Sequence, residues 1–196
     1  MILGIDIDDT ISNTYNVIMG YAQEYTIDVL KREPNLRKGV TCTNHLYTQY
    51  LHDWAEGEDM KFLKLYYERI LKEVEPKTLA KKYLDKIHEE GNKIVIITAR
   101  WKNEYFDVVK ATEEWLTKHQ IPYDDLVTDA SDKLSICQEK KIDLFIDDSL
   151  YNCNKVAEAG IKSFVMDTII NRGEDNPLVS RVYSWPHVYM KMKEIV

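Results

Sequence analysis

Ile2-Leu3-Gly4-Ile5-Asp6-Ile7-Asp8-Asp9-Thr10 is an apolar run that ends in carboxylates two residues apart. In an extended strand, residues two apart share a side, so Asp6 and Asp8 can face one site while Ile7 turns back to the core. Two neighbouring carboxylates repel each other. Their pairing suits a cation held between them, or chemistry that wants one ionised and one protonated. Standing alone, such a pair is better read as the solvated acidic turn that ends a strand. The rest of the chain reverses that preference.

Further β-rich runs follow Met1–Ile5 at Lys93–Ile97, Leu126–Thr128, Ile142–Ile146 and Ile161–Met166, with helical patterns between them. This alternation predicts an α/β fold, a parallel sheet with helices on both faces. A helix is expected from Pro76 to Glu90, with Leu79, Tyr83, Leu84 and Ile87 on one face and Gly91 just past its end. Asn103 is the expected N-cap of another helix that runs to about His119 before Pro122.

Between the first two strands, Ser12 to Glu73 shows helical patterning and no convincing strand. Tyr15, Ile18, Met19, Ala22 and Tyr25 repeat at helical spacing, Pro34 to Gly39 reads as a break, and Phe62, Leu63, Tyr66, Ile70 and Leu71 mark a second amphipathic helix. This is far more chain than a crossover needs. A helical cap inserted after the first strand is expected over residues 12–75, above a core of residues 1–11 and 76–196, at the edge where open parallel sheets hold ligands.

The bulk composition narrows the function. A chain of 196 residues with 44% hydrophobic and 30% charged residues suits one globular domain with an insertion. Its net charge of -7 argues against a nucleic-acid polymer as partner, though a local basic pocket could still hold a small anion. Cys42, Cys137 and Cys153 lack a C-x-x-C spacing and suit reduced thiols. No apolar run reaches membrane-span length and no secretory leader is seen, so a cytoplasmic protein is expected. The five histidines, His45, His52, His88, His119 and His187, are scattered without metal-ligand spacing.

Polar residues gather at the strand exits. The first strand leads into Asp6 and Asp8, the second into Thr98-Ala99-Arg100, and the fourth into Asp147-Asp148-Ser149. In a parallel sheet these exits share one edge, and Lys133 can reach it from a helix start after the third strand. Taken one at a time, Thr98 is a strand residue, Lys133 a solvated charge and Asp147-Asp148 a turn. Together and in this order they make one site.

In this set the chain resembles the haloacid-dehalogenase-like hydrolase superfamily over about residues 1–167, and within it the 5′(3′)-deoxyribonucleotidase and related nucleotidase family. The subfamily likeness rests on the cap position, Ile97-Thr98-Ala99-Arg100, Ile146-Asp147-Asp148 and the tail from Asn171-Arg172 to Trp185. Asp9 departs from it, since that family often has glycine there. The resemblance implies a Rossmann-like core and a Mg²⁺-dependent phosphomonoesterase acting on a small phosphomonoester, a nucleoside monophosphate.

Transferring a phosphoryl group needs an in-line nucleophile, neutralised equatorial oxygens and help for the leaving oxygen. Under the resemblance, Asp6 is the nucleophile that forms an aspartyl-phosphate. Asp8 is the acid and base, which requires the higher pKa of the pair. Asp6, the Asp8 carbonyl and Asp147 or Asp148 hold Mg²⁺, with Asp148 favoured as the direct ligand. Thr98 and Lys133 hold phosphoryl oxygens, and Ala99 and Arg100 join them at the substrate. Tyr15, Tyr21, Tyr25, Tyr47, Trp54, Tyr66 and Tyr67 give the insertion aromatic surface for a base, although most are expected in its own core. The rivals are a phosphatase for another metabolite, such as a sugar phosphate, and a non-catalytic phosphate-binding regulatory module. The intact set of five polar residues argues against the module.

Overall fold

Leu3 and Ile5 point to one face of their strand, and Ile2 and Gly4 to the other. The same two-residue alternation, repeated in each apolar run, buries both faces of the sheet. A computed structural model describes residues 1–35, 53–173 and 175–195. Cys42, His45, Tyr47, His52 and most of the Pro34–Gly39 break lie outside the described residues.

The strands are β1 (Ile2–Ile5), β2 (Lys93–Ile97), β3 (Asp125–Val127), β4 (Leu144–Asp147), β5 (Lys162–Met166) and β6 (Val179–Val182). They form one parallel sheet in the order β3-β2-β1-β4-β5-β6. The chain moves outward on one side of β1, then returns to the other side. The carboxyl ends of β1, β2 and β4 therefore meet at the point where strand order reverses, the crevice in which such sheets bind ligands.

The helices are α1 (Thr14–Glu24, continued by a π-helical turn at Tyr25–Val29), α2 (Glu58–Glu73), α3 (Ala80–Glu89), α4 (Val108–Lys118), α5 (Lys133–Glu139), α6 (Leu150–Glu158) and α7 (Trp185–Lys193). Leu84, Ile87, Trp115, Leu116, Val188 and Met192 bring α3, α4 and α7 onto the face that carries Leu3, Ile5, Ile94, Ile96 and Ile146. Cys137, Cys153 and Val156 bring α5 and α6 onto the face of Val95, Ile97 and Phe145. A separate cluster of Tyr21, Ala22, Tyr25, Trp54, Phe62 and Ile70 holds α1 and α2 together. Among the described residues no helix is long and apolar enough to cross a membrane.

Several expected boundaries move. α3 begins at Ala80 rather than Pro76, because Leu79 has φ 66° and Pro76 is bridged to Ser12. α4 is capped by Asp107, whose carboxylate accepts from Lys110 N at 3.0 Å, while Asn103 instead closes a turn through Tyr105 N and Phe106 N. β6 has no counterpart among the expected strands. The chain crosses into and out of the α1–α2 segment at one place: Asn13 N donates to Glu75 O at 2.9 Å, and Lys77 N to Ile11 O at 2.7 Å.

Ser184 caps α7, whose first residue, Trp185, is fully buried and donates Nε1–H to Thr10 O at 3.2 Å. This contact ties the C-terminal helix to the loop that follows β1. Trp185→Phe removes both the donor and part of the buried ring. It is expected to lower unfolding free energy by about 1–3 kcal/mol in urea titrations.

Candidate active site

Asp6 leaves β1 with its backbone N–H bonded to Ile146 O at 3.0 Å, which places it beside the end of β4. Lys133, the first residue of α5, reaches the same edge. Its Nζ donates to Asp6 Oδ1 at 2.6 Å and to Asp147 Oδ2 at 2.7 Å. All three side chains are at most 6% exposed. Burial alone would favour a neutral lysine, but Asp147 and Asp6 outweigh it and hold Lys133 charged well above its ordinary range. Burial raises Asp6 to about 7, against the opposing pull of Lys133.

Asp147 is fully engaged, since its oxygens also accept from Ser149 N at 2.7 Å and Asn152 Nδ2 at 3.2 Å. Asp148 differs: no hydrogen bond or ion pair from the described residues reaches its carboxylate. Burial and the charges of Asp147, Asp9 and Asp6 push it well above the usual carboxylate range. Asp6, Asp147 and Asp148 offer oxygens within 4.8 Å of one another. A crowded set of hard oxygen donors with one carboxylate left uncompensated fits a small divalent cation.

Asp8 has other partners. Arg100 Nε donates to its Oδ2 and Nη2 to its Oδ1, both at 2.9 Å, and the Thr14 hydroxyl donates at 2.8 Å. Burial would raise the Asp8 pKa, but the Arg100 charge and these hydrogen bonds outweigh it and hold the group below its ordinary value. The protein's own groups thus raise Asp6 and lower Asp8, opposite to the order that an acid at Asp8 requires once cation and substrate are in place. Arg100, 2% exposed, spends its fork on Asp8, with its guanidinium 5.6 Å above the Trp115 ring. Thr98 is fully buried and does not line the cavity. Its hydroxyl accepts from Arg100 N at 3.4 Å and so steadies the turn that carries Arg100.

Asp9 has φ 57°, the left-handed conformation that glycine adopts most easily, which explains why glycine suits this position. The aspartate is used locally: its carboxylate accepts from Tyr15 N at 2.8 Å and caps the start of α1, where Asn13 makes no side-chain cap. Burial raises Asp9 to about 6.

These groups floor a cavity of about 410 Å³. Ala99, Arg100, Lys133, Asp147, Asp148 and Asn171 line it from the sheet side, and Ile18, Asp59, Phe62, Leu63, Tyr67 and Ile70 from α1 and α2. Of the aromatics singled out in the sequence, Tyr21, Tyr25, Trp54 and Tyr66 pack in the α1–α2 core. Tyr67 faces the cavity, stacked on Trp101 with ring centroids 4.4 Å apart. Asn171 is a further member: its amide donates to Asp148 O and Met166 O, both at 2.7 Å. The signal for it was its place in the tail.

The parallel sheet of this order, with acidic strand exits around a buried lysine, is the fold of haloacid-dehalogenase-like hydrolases. A haloacid-dehalogenase-like hydrolase of Streptococcus pneumoniae superposes with a TM-score of 0.70 over 97% of each chain at 11% identity. CbbY from Rhodobacter sphaeroides, solved with phosphate, gives 0.65 over 95% of each at 14% identity. The family described as 5′ nucleotidase, deoxy (pyrimidine), cytosolic type C protein (NT5C) matches residues 1–195, and the chain belongs to it. A nucleotidase of Clostridium acetobutylicum is 30% identical over 190 residues, covering 94% of this chain and 90% of that protein. The protein is a phosphoric monoester hydrolase, and its substrate is a small phosphate ester.

Proposed function

We propose that the protein is a Mg²⁺-dependent nucleotidase that dephosphorylates nucleoside monophosphates through an aspartyl-phosphate on Asp6. The observation that carries the reading is the group of Asp6, Asp147 and Asp148 around Lys133, at the floor of a cavity whose far wall is apolar and aromatic. Asp6, Asp148 and the Asp8 carbonyl would hold the cation, which supplies positive charge to the phosphoryl oxygens when bound. We take residues 12–75 as a cap on the core of residues 1–11 and 76–196, since α1 and α2 supply that far wall. The buried free thiols of Cys137 and Cys153 support a cytoplasmic setting.

Lys133 holds Asp6 Oδ1, leaving Oδ2 as the oxygen to attack phosphorus. As the new O–P bond forms, the ester P–O bond breaks, and the departing alkoxide takes a proton from Asp8. Water then attacks the aspartyl-phosphate, its proton passes to Asp8, and phosphate leaves. Because Arg100 holds Asp8 ionised, the group must first take up the proton it delivers, which requires that fork to loosen as substrate enters.

Phosphate release from a panel of monophosphates, with Mg²⁺ or with EDTA, tests the proposal. Cutting a nucleoside monophosphate back to ribose 5-phosphate is expected to lower kcat/KM at least about tenfold, roughly 1.4 kcal/mol, within reach of one base–aromatic stack. Equal kcat/KM for ribose 5-phosphate and every nucleotide would replace the nucleotidase with a sugar phosphatase. Full activity in EDTA would remove the metal.

A further inference from the structure

Asp59 belongs to the first turn of α2 and lines the cavity on the wall otherwise built from Phe62, Leu63, Tyr67 and Ile70. It is 8% exposed, and no hydrogen bond or ion pair from the described residues reaches its carboxylate. The adjacent acid, Glu58, shows what a structural role looks like here: its carboxylate accepts from Ala55 N and from Arg32. A buried carboxylate without a partner is costly, and the helix N-terminus offsets that cost only in part. Such a group persists where a ligand completes it.

We propose that Asp59 is a specificity-determining residue that accepts hydrogen bonds from two adjacent donors on the part of the substrate remote from phosphorus. The assignment rests on the reading of the site as a nucleotidase centre. A carboxylate presents two oxygens side by side and is best met by two parallel donors. A nucleoside monophosphate carries such a pair in two places: the 2′ and 3′ hydroxyls of ribose, and the N1–H and N2–H edge of guanine. Adenine and cytosine set a ring acceptor beside their amino group, and uracil and thymine set carbonyls on either side of N3–H. Each of those edges turns lone pairs toward Asp59, so the assignment sets this chain's selectivity apart from the deoxy pyrimidine nucleotides in its family's description.

The test compares wild type with Asp59→Asn and Asp59→Leu on guanosine, deoxyguanosine, inosine, adenosine and thymidine monophosphates, on ribose 5-phosphate and on p-nitrophenyl phosphate, alongside thermal melts. For the best natural substrate, the loss of kcat/KM in both variants is expected to exceed the loss on p-nitrophenyl phosphate by at least about tenfold, since only the natural substrate has donors to lose. Tm is expected to stay level or rise, because an uncompensated buried charge has been removed. A guanosine-over-deoxyguanosine preference that collapses in the variants identifies the ribose hydroxyls. A guanosine-over-inosine preference that collapses identifies the base edge. Equal losses on natural and synthetic substrates, or a fall in Tm with no change in that ratio, would overturn the proposal and return Asp59 to a structural role. If the best substrate of the wild-type panel is not a nucleotide, the nucleotidase reading fails by itself. The same ratio, taken on that other substrate, still decides Asp59.

Discussion

Asp6→Asn is expected to reduce kcat by about 10³-fold or more, at least about 4 kcal/mol of transition-state stabilisation, while the protein stays folded. The amide keeps an oxygen that can accept from Lys133 Nζ, which also retains Asp147 as its ion-pair partner. It lacks the charge and nucleophilicity needed to attack phosphorus. Single-turnover phosphate release and circular dichroism check both halves of the expectation. If the variant kept more than about a tenth of the wild-type kcat, a loss under roughly 1.4 kcal/mol, covalent catalysis by Asp6 would be wrong.

Lys133→Met should act on stability as strongly as on turnover. Methionine fills most of the lysine stem but removes the cation bonded to two nearly buried carboxylates, Asp6 and Asp147. Breaking a buried pair from one side leaves the other charge uncompensated, at a cost of about 3–5 kcal/mol. The urea midpoint in EDTA should fall accordingly, and turnover with it. Mg²⁺ should raise the Tm of this variant more than that of wild type, because a cation bound only by the folded state has more charge left to neutralise. A loss below about 1 kcal/mol would mean that Lys133 does not balance these carboxylates.

The central strands were legible because β1, β2 and β4 are uninterrupted aliphatic runs that end abruptly in polar residues, whereas their order in the sheet was not. β6 was not, because Val179-Ser180-Arg181-Val182 is short, half polar and without such a run. The gathering of Asp6, Lys133, Asp147 and Asp148 followed from parallel topology alone. Their pairing did not, since Asp8 meets Arg100, and Asp6 meets Lys133, across 92 and 127 residues of chain. The partners of Asp6 and Asp8 were not legible for that reason: spacing along a strand says where carboxylates point, whereas the burial and the charges that raise one and lower the other arrive from elsewhere. Asp59 gave no signal, being one of two acids in a helix's first turn, where acids are common.

The bridge between Ser12 and Pro76, with its flanking bonds from Asn13 to Glu75 and from Lys77 to Ile11, has a consequence for how such a chain can diversify. From the viewpoint of the sheet, everything between those two residues is a closed loop whose ends are already fastened. The entropy of closing a loop grows only with the logarithm of its length, by about 0.6 kcal/mol for each doubling. Beyond the contacts of Thr14 and Tyr15 with Asp8 and Asp9 and of Val74 with Trp115, the intervening segment can therefore lengthen or shorten at little cost to the fold, while the carboxylates at the strand exits stay where the sheet puts them. What the protein selects is free to drift under mutation independently of the bond it cuts.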